Sequence, residues 1–513
     1  MESLAARSPV GIGTAATRRA RITSERVIKG FFASNALVAI VVLALITIFL
    51  FREGSGFFDQ NLKNLRLYRR AGLEFVDIIR AQAEQHASLS RKLSDIRLQE
   101  GGAQANENVL AAFDQFAAAF SDAGEELNGL VSDTNDQALA LRDSLTGTHS
   151  DSEADANDDQ APAPAVDQAQ GMVALRSATD KFEQGSATLK AKIDNLLTTP
   201  PPLSGAKARQ SFEKWKGKTR AYLAQLPVAT QQLREWDPHK PVPAYRAITS
   251  FLFGPDWVTA SFWQDWYGII PLLVGSIMVA VVALVIAVPL GVASAIYVSE
   301  VAHRSETRLI KPYIEFISAI PSVVLGFFGI AVVGEAVRAL SRLSIMQWVP
   351  FFPISERLNV FTAGSLLALM AVPTIFTLAE DALRNVPRGF KEASYALGAN
   401  RLQTIARVLV PASLSGIISA ILLGLGRVIG ETMVVLLCAG NRIAIPDFTQ
   451  GLGAFFQPVH TMTGIIAQEM GEVVRGSIHY RALFMVGLVL FALTLGINYL
   501  AQKIVSRYRM SIG

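Results

Sequence analysis

Charge is scarce in this 513-residue chain: 18% of its residues are Asp, Glu, Lys or Arg, against about 25% in soluble domains. With 51% hydrophobic residues and a mean hydropathy of +0.33, a wholly soluble globular protein is excluded. A single cysteine, Cys438, excludes an intramolecular disulfide. The six histidines, His86, His149, His239, His303, His460 and His479, lack metal-ligand spacing, so no metal is expected. No Lys/Arg block with interleaved aromatics is present, which argues against nucleic acid as a partner. A G-x-x-x-x-G-K-[ST] loop is also absent, so the chain does not hydrolyse ATP by that route and no cofactor is implied.

What is present divides into two compositions. Residues 52–268 hold about 23 Lys/Arg against about 29 Asp/Glu, which leaves a balance of about +10 elsewhere in a chain of net charge +4. That remainder carries six apolar runs long enough to cross about 30 Å of hydrocarbon. The runs are Phe31 to Phe51, Ile269 to Val298, Ile314 to Leu340, Asn359 to Leu378, Ser413 to Ala439 and Ala482 to Val505. The first follows Arg18, Arg19, Arg21, Arg26 and Lys29, has no small-residue cleavage site, and reads as an uncleaved anchor. Further cations collect at Arg304, Arg308 and Lys311, from Arg384 to Arg407, and at Lys503, Arg507 and Arg509. In a six-span arrangement these segments share one side, so the positive-inside rule places both termini in the cytoplasm and residues 52–268 beyond the far face.

The expected divisions are therefore 1–51, a basic arm with the first span; 52–268, an outer bundle; and 269–513, the main membrane domain. Four amphipathic stripes at helical spacing suggest the bundle: Leu62 to Ile96, Phe113 to Leu130, Met172 to Leu196 and Phe212 to Trp236. An acidic, aromatic-free linker near 147–168 is too polar to order itself. Pro200, Pro201 and Pro202 break the chain before the fourth stripe.

Arg427 and Glu431 are the only charges in the fifth run; they stand near its middle, four residues apart, and on one continuous helix would project from one face. A charge at the bilayer centre costs about 2.5 to 3.5 kcal/mol even on the lenient scale, so it must face a partner or a water-lined path. Two readings stay open: an ion pair that locks helix packing, or an anion path in which Gly424, Gly426 and Gly430 clear space around Arg427. Pro289 with Gly291, Pro321 with Gly326 and Gly329, and Pro373 are hinge candidates expected to interrupt three spans.

The basic segment from Phe390 to Ala399 reads as a short helix ended by Gly398, followed by a second basic helix stopped by Pro411. Glu392-Ala393-Ser394, three residues, Gly398, nine residues and then Val408-Leu409-Val410-Pro411 closely resemble the EAA loop of ABC importer permeases. The departures are Ser394 for the usual Ala, and Val408 and Val410 for the usual Ile and Leu. Within that superfamily, Arg427 to Met433 (RVIGETM) with Gly440-Asn441 is similar to phosphate-specific permeases, of PstC rather than PstA type. Ile320 to Gly329 (IPSVVLGFFG), Val372 to Ile375 (VPTI) and Ile466 to Glu472 (IAQEMGE) agree. The resemblance runs from about Ile269 to the C-terminus and does not reach the outer bundle.

The resemblance implies an all-α polytopic membrane protein with six transmembrane helices, a type I ABC importer permease core, plus a large helical periplasmic insertion between the first and second spans. It implies an inner-membrane subunit of a phosphate importer. Its partners would be a dimer of ATPase subunits, a second PstA-type permease, a periplasmic phosphate-binding protein and membrane lipid. Glu392, Ala393 and Gly398 would belong to the loop that couples to the ATPase, and Arg427, Glu431 and Thr432 to the substrate pathway. The chemistry agrees: Arg427 can give parallel N–H bonds to two phosphate oxygens. Glu431 can accept from the P–OH, whereas sulfate would set two unprotonated anions face to face. The alternatives are a permease for molybdate or sulfate, or a phosphate-responsive sensor with a helical periplasmic domain.

Overall fold

The computed structural model describes residues 15–100, 107–146, 168–259, 265–346, 348–349, 351–354 and 356–508. The linker expected near 147–168 lies outside them except for Gln168, as do Arg509 and the side chains of Arg18, Arg19, Arg21, Arg26 and Arg507. The chain forms two compact units, Met1–Phe57 with Ile269–Gly513, and Phe58–Gly268.

Helix α1 runs Ala15–Arg70 and contributes residues to both units. The second unit continues with α2 (Leu73–Glu100), α3 (Glu107–Asp122), α4 (Glu125–Thr146), α5 (Gln168–Thr198), α6 (Ala206–Glu235) and α7 (Tyr245–Phe253). Its core is one apolar cluster in which Phe75, Phe113, Phe120, Phe182, Ile193 and Trp215 are almost fully buried. Two of the expected stripes prove to be two helices each, because the apolar spacing continues in phase across tight turns at Ala71–Gly72 and Ala123–Gly124. Pro200 to Pro202 fall in the non-helical stretch between α5 and α6. His86 is buried in this core; its Nε2 lies 2.9 Å from the Phe120 carbonyl and its ring stacks on Phe120. One small element breaks the all-helical pattern, an antiparallel pair of Trp257–Val258 (β1) with Trp266–Tyr267 (β2).

The first unit adds α8 (Ile270–Ile296), α9 (Arg304–Ser318), α10 (Ser322–Phe328), α11 (Gly334–Ser341), α12 (Val360–Arg384) and α13 (Arg388–Ala396). Beyond them lie α14 (Arg401–Thr404), α15 (Val410–Gly430), α16 (Met433–Cys438), α17 (Met462–Glu469) and α18 (Ile478–Tyr508). Among the described residues six helical segments are long and apolar enough to cross a membrane: Lys29–Arg70, Ile270–Val301, Ser322–Ser341, Val360–Arg384, Arg401–Gly430 and Ile478–Ile504. Helix α12 is their hub, packed on α8, α15 and α9. Its start is fixed by Asn359, whose side chain accepts from the Thr362 N–H at 3.0 Å and so satisfies one of the helix's free donors.

Prolines act differently from the sequence expectation. Pro289 and Pro373 lie inside continuous α8 and α12, so they interrupt neither span. Pro321 does sit at a break, between α9 and α10, and the expected third run from Ile314 is split there. Pro411 does not stop its helix. A π turn over Ile405–Leu409, closed by Val410 N–H to the Ile405 carbonyl, re-registers the backbone just before the proline, and the helix continues from Arg401 to Gly430.

Candidate functional site

Arg427 stands in the last turn of helix α15 and Glu431 at its C-cap. Helix α15 ends at Gly430, Glu431 is its C-cap in extended backbone (φ −73°, ψ 133°), and the chain re-forms a helix only at Met433. The fifth apolar run is thus a helix, an unwound step and a second short helix, with Glu431 at the break. Unwound backbone at membrane depth persists where protein or a water-lined cavity satisfies its polar groups. Here the Thr463 hydroxyl donates to the Glu431 carbonyl at 2.9 Å, and the Glu431 N–H bonds to the Val428 carbonyl.

Arg427 is exposed, and its Nη1 lies 3.5 Å from the Thr374 hydroxyl of α12. It makes no ion pair with Glu431 or any other carboxylate among the described residues, so the packing ion pair is not formed. Glu431 and Thr432 are half-buried beside it, and the Thr432 hydroxyl points back to the Gly430 carbonyl at 3.5 Å. A cation in the last turn of α15 also meets the negative end of the helix dipole. The surrounding glycines divide in role. Ile375 fills the space over Gly424, whereas Gly426 and Gly430 have nothing within 4 Å of where a Cβ would stand.

The flanking motifs build this region. In IPSVVLGFFG, Gly326 and Gly329 let α10 and the turn after it approach Leu437, Leu366 and Cys438, and the Cys438 thiol donates to the Gly326 carbonyl at 3.3 Å. The Gly440-Asn441 pair supplies two successive positive φ angles, 89° and 50°, the residue types that adopt them most readily. In VPTI, Thr374 faces Arg427 while Ile375 packs against both Gly291 and Gly424. Thr374 and Thr463 were not among the sequence-predicted site residues; only their place within or near the quoted motifs pointed to them.

The predicted coupling segment is α13 and the turn after it. Glu392 and Ala393 are exposed, Leu397 is 89% exposed, and Gly398 turns the chain at φ +82°. A groove of about 490 Å³ runs between α13 and the following helix, lined by Phe390, Ala393, Leu397, Gly398 and Arg407 among others. Two contacts hold this segment to the spans. Lys391 Nζ meets Glu300 Oε1 at 2.6 Å, at the end of α8's span, and Arg401 donates to the Glu300 carbonyl. Ser394 Oγ lies 2.9 Å from Thr404 Oγ1, both buried, and Thr404 also donates to the Asn400 carbonyl at 3.1 Å. Ser394, the departure from the usual alanine, therefore has a specific partner in the fifth span's helix. Deeper in, the fully buried Glu380 accepts from Lys311 Nζ at 3.0 Å; Arg384 Nη2 is 2.7 Å from its other oxygen, outside hydrogen-bond geometry.

Residues 287–510 match the family described as "Binding-protein-dependent transport system inner membrane component". The chain is 35% identical over 242 residues to the probable ABC transporter permease protein YqgH of Bacillus subtilis, covering 46% of this chain and 72% of that protein. It is 30% identical over 272 residues to the phosphate transport system permease protein PstC of Pasteurella multocida, covering 52% and 82%. A chain of the MetNI methionine ABC transporter is similar at 20% identity, covering 47% of this chain and 94% of its own, with a TM-score of 0.34. The chain therefore belongs to the binding-protein-dependent ABC importer permeases, of PstC type: a multi-pass inner-membrane transport subunit, not itself an enzyme, that works with a separate ATPase subunit.

Proposed function

We propose that this chain and a second, PstA-type permease form the translocation path of an ATP-driven phosphate importer, with Arg427, Glu431 and Thr432 lining it. The observation that carries the reading is an exposed guanidinium in the last turn of an apolar span, without a carboxylate partner among the described residues, beside an unwound backbone. Leaving a charge so placed is costly in hydrocarbon and sensible in a path that an anion traverses. Relatives named as phosphate transport permeases make phosphate the anion of choice. Arg427 supplies the fork for two phosphate oxygens, Thr374 and Thr432 stand near with hydroxyls, and Glu431 accepts a hydrogen bond from the P–OH that sulfate lacks.

Both termini face the cytoplasm in this reading, and residues 52–268 form a helical insertion on the periplasmic side, where a phosphate-binding protein delivers its cargo. Residues 1–51 anchor the chain and 269–513 form the path. Glu392, Ala393 and Gly398 dock on the ATPase dimer, whose closure rocks the spans and exposes Arg427 alternately to each side. The test is phosphate uptake in lipid vesicles holding this chain, the partner permease, the ATPase and the binding protein, with sulfate as competitor. ATP-dependent uptake that sulfate does not suppress supports the reading; uptake of sulfate or molybdate in preference to phosphate overturns it.

A further inference from the structure

The outer unit is acidic in composition, yet at one place it gathers cations. A cavity of about 260 Å³ is lined by Arg66, Arg69, Arg70, His239 and Lys240, and no carboxylate lines it. Arg66 and Arg70 stand four apart on α1, on the same side of the helix. His239 and Lys240 come from the turn that follows α6, about 170 residues later in sequence. Of these side chains only Arg69 is ion-paired among the described residues, through two bonds to Glu74 at 2.6 and 2.8 Å. Asp237, the nearest other acid in sequence, spends an oxygen on the His239 N–H.

Like charges repel, so their convergence has to be imposed. The imposing contacts are visible: Arg69 Nη1 donates to the Lys240 carbonyl at 3.1 Å, and the buried Pro238 and Val242 seat the turn on either side. Backbone and apolar packing thus hold Lys240 and His239 against α1 although electrostatics opposes it. The cavity is smaller than the range of about 300 to 1,000 Å³ usual for drug-sized ligands. Arginine forks match the geometry of tetrahedral oxyanions, and Lys adds a point charge.

We propose that this pocket of the second unit, Phe58–Gly268, binds a small tetrahedral oxyanion, phosphate and sulfate alike. The proposal stands apart from the translocation path and does not rest on it. Because no carboxylate lines the pocket, no unprotonated anion there repels sulfate, and the pocket does not distinguish phosphate from sulfate, in contrast to a path containing Glu431.

The test uses the full chain in detergent, carrying Arg427→Ala so that the path contributes no anion binding. Equilibrium binding of radiolabelled phosphate is measured at constant low ionic strength set with chloride. Thermal unfolding is followed by tryptophan fluorescence, since Trp215, Trp236, Trp257 and Trp266 lie in the second unit and Trp348 outside it. The expected result is one phosphate per chain, displaced by sulfate at similar concentration, and an unfolding midpoint that rises with phosphate. Arg66→Gln with Arg70→Gln weakens binding at least tenfold without lowering the phosphate-free midpoint, and Lys240→Gln, from the other segment, weakens it as well. Phosphate binding no better than chloride, failure of sulfate to compete, or unaltered binding in both variants overturns the proposal. Uptake by the assembled transporter reads the path alone, so the two readings fail separately.

Discussion

Replacing Lys391 with alanine tests whether the coupling segment acts on the path through the second span. Lys391 Nζ lies 2.6 Å from Glu300 Oε1, with the Glu300 side chain 7% exposed and the lysine 31% exposed. A hydrogen bond to a charged group contributes about 1.5 to 3 kcal/mol, and loss of one partner leaves the other buried and unpaired. Solvent screening at the lysine argues for the lower end, about 1.5 kcal/mol, which is about a tenfold shift between attached and detached positions of α13. Arg401 cannot compensate, because it bonds the Glu300 carbonyl and not its carboxylate. In vesicles holding the assembled importer, Lys391→Ala should lower uptake by about tenfold and raise the ATP hydrolysed per phosphate imported. The exchange of Lys391→Glu with Glu300→Lys should recover uptake beyond either single variant, the coupling expected of residues in contact. Unchanged uptake and an unchanged ratio in Lys391→Ala would refute the reasoning.

Other consequences are open to measurement. Ser394→Ala removes one hydroxyl while Thr404 keeps its bond to Asn400, so thermal unfolding should show a loss of about 1 kcal/mol. Thr404→Val orphans Ser394 and should cost more; equal costs would contradict the shared bond. Gly398→Ala meets no atom within 4 Å, so its cost comes from the positive φ alone, about 1 kcal/mol, and a neutral result in the same unfolding assay would place the strain elsewhere. Burial holds the His86 imidazole below its ordinary pKa, against the hydrogen bond to Phe120. The unfolded chain therefore takes up the proton first as pH falls below about 6.5, and the second unit, Phe58–Gly268, should lose stability there by at most about 1.4 kcal/mol per pH unit. Tryptophan-monitored unfolding between pH 7.5 and 5.5 should show this slope, flattened in His86→Gln; an equal slope in the variant would assign it to other groups.

The six spans were legible because about 20 apolar residues in series admit few other readings. Their interruptions were not. The break at Glu431 follows no proline, and nothing in the apolar run marks it. At Pro411 the opposite happened, since a π turn absorbed the missing N–H and let the helix run on. The helices of the second unit were legible as amphipathic stripes, but a tight turn that keeps the apolar phase leaves no mark in periodicity, which hid the divisions at Gly72 and Gly124. Contacts between distant residues were beyond the pattern altogether. Ser394 looked like a small change of volume until Thr404 appeared opposite it. The pairing of Lys391 with Glu300 and the meeting of Arg66 with Lys240 come from how helices pack, and neither residue's neighbours in sequence announce them.

The central claim is that an arginine and a carboxylate in the broken fifth span select phosphate. Its most direct test is the ratio of phosphate to sulfate uptake by the assembled importer, compared between the parent and Glu431→Gln. The parent should favour phosphate strongly. In the variant the amide no longer repels sulfate, so the ratio should fall by at least about tenfold, the worth of roughly 1.4 kcal/mol, while phosphate uptake falls less. The same ratio in both would contradict the account.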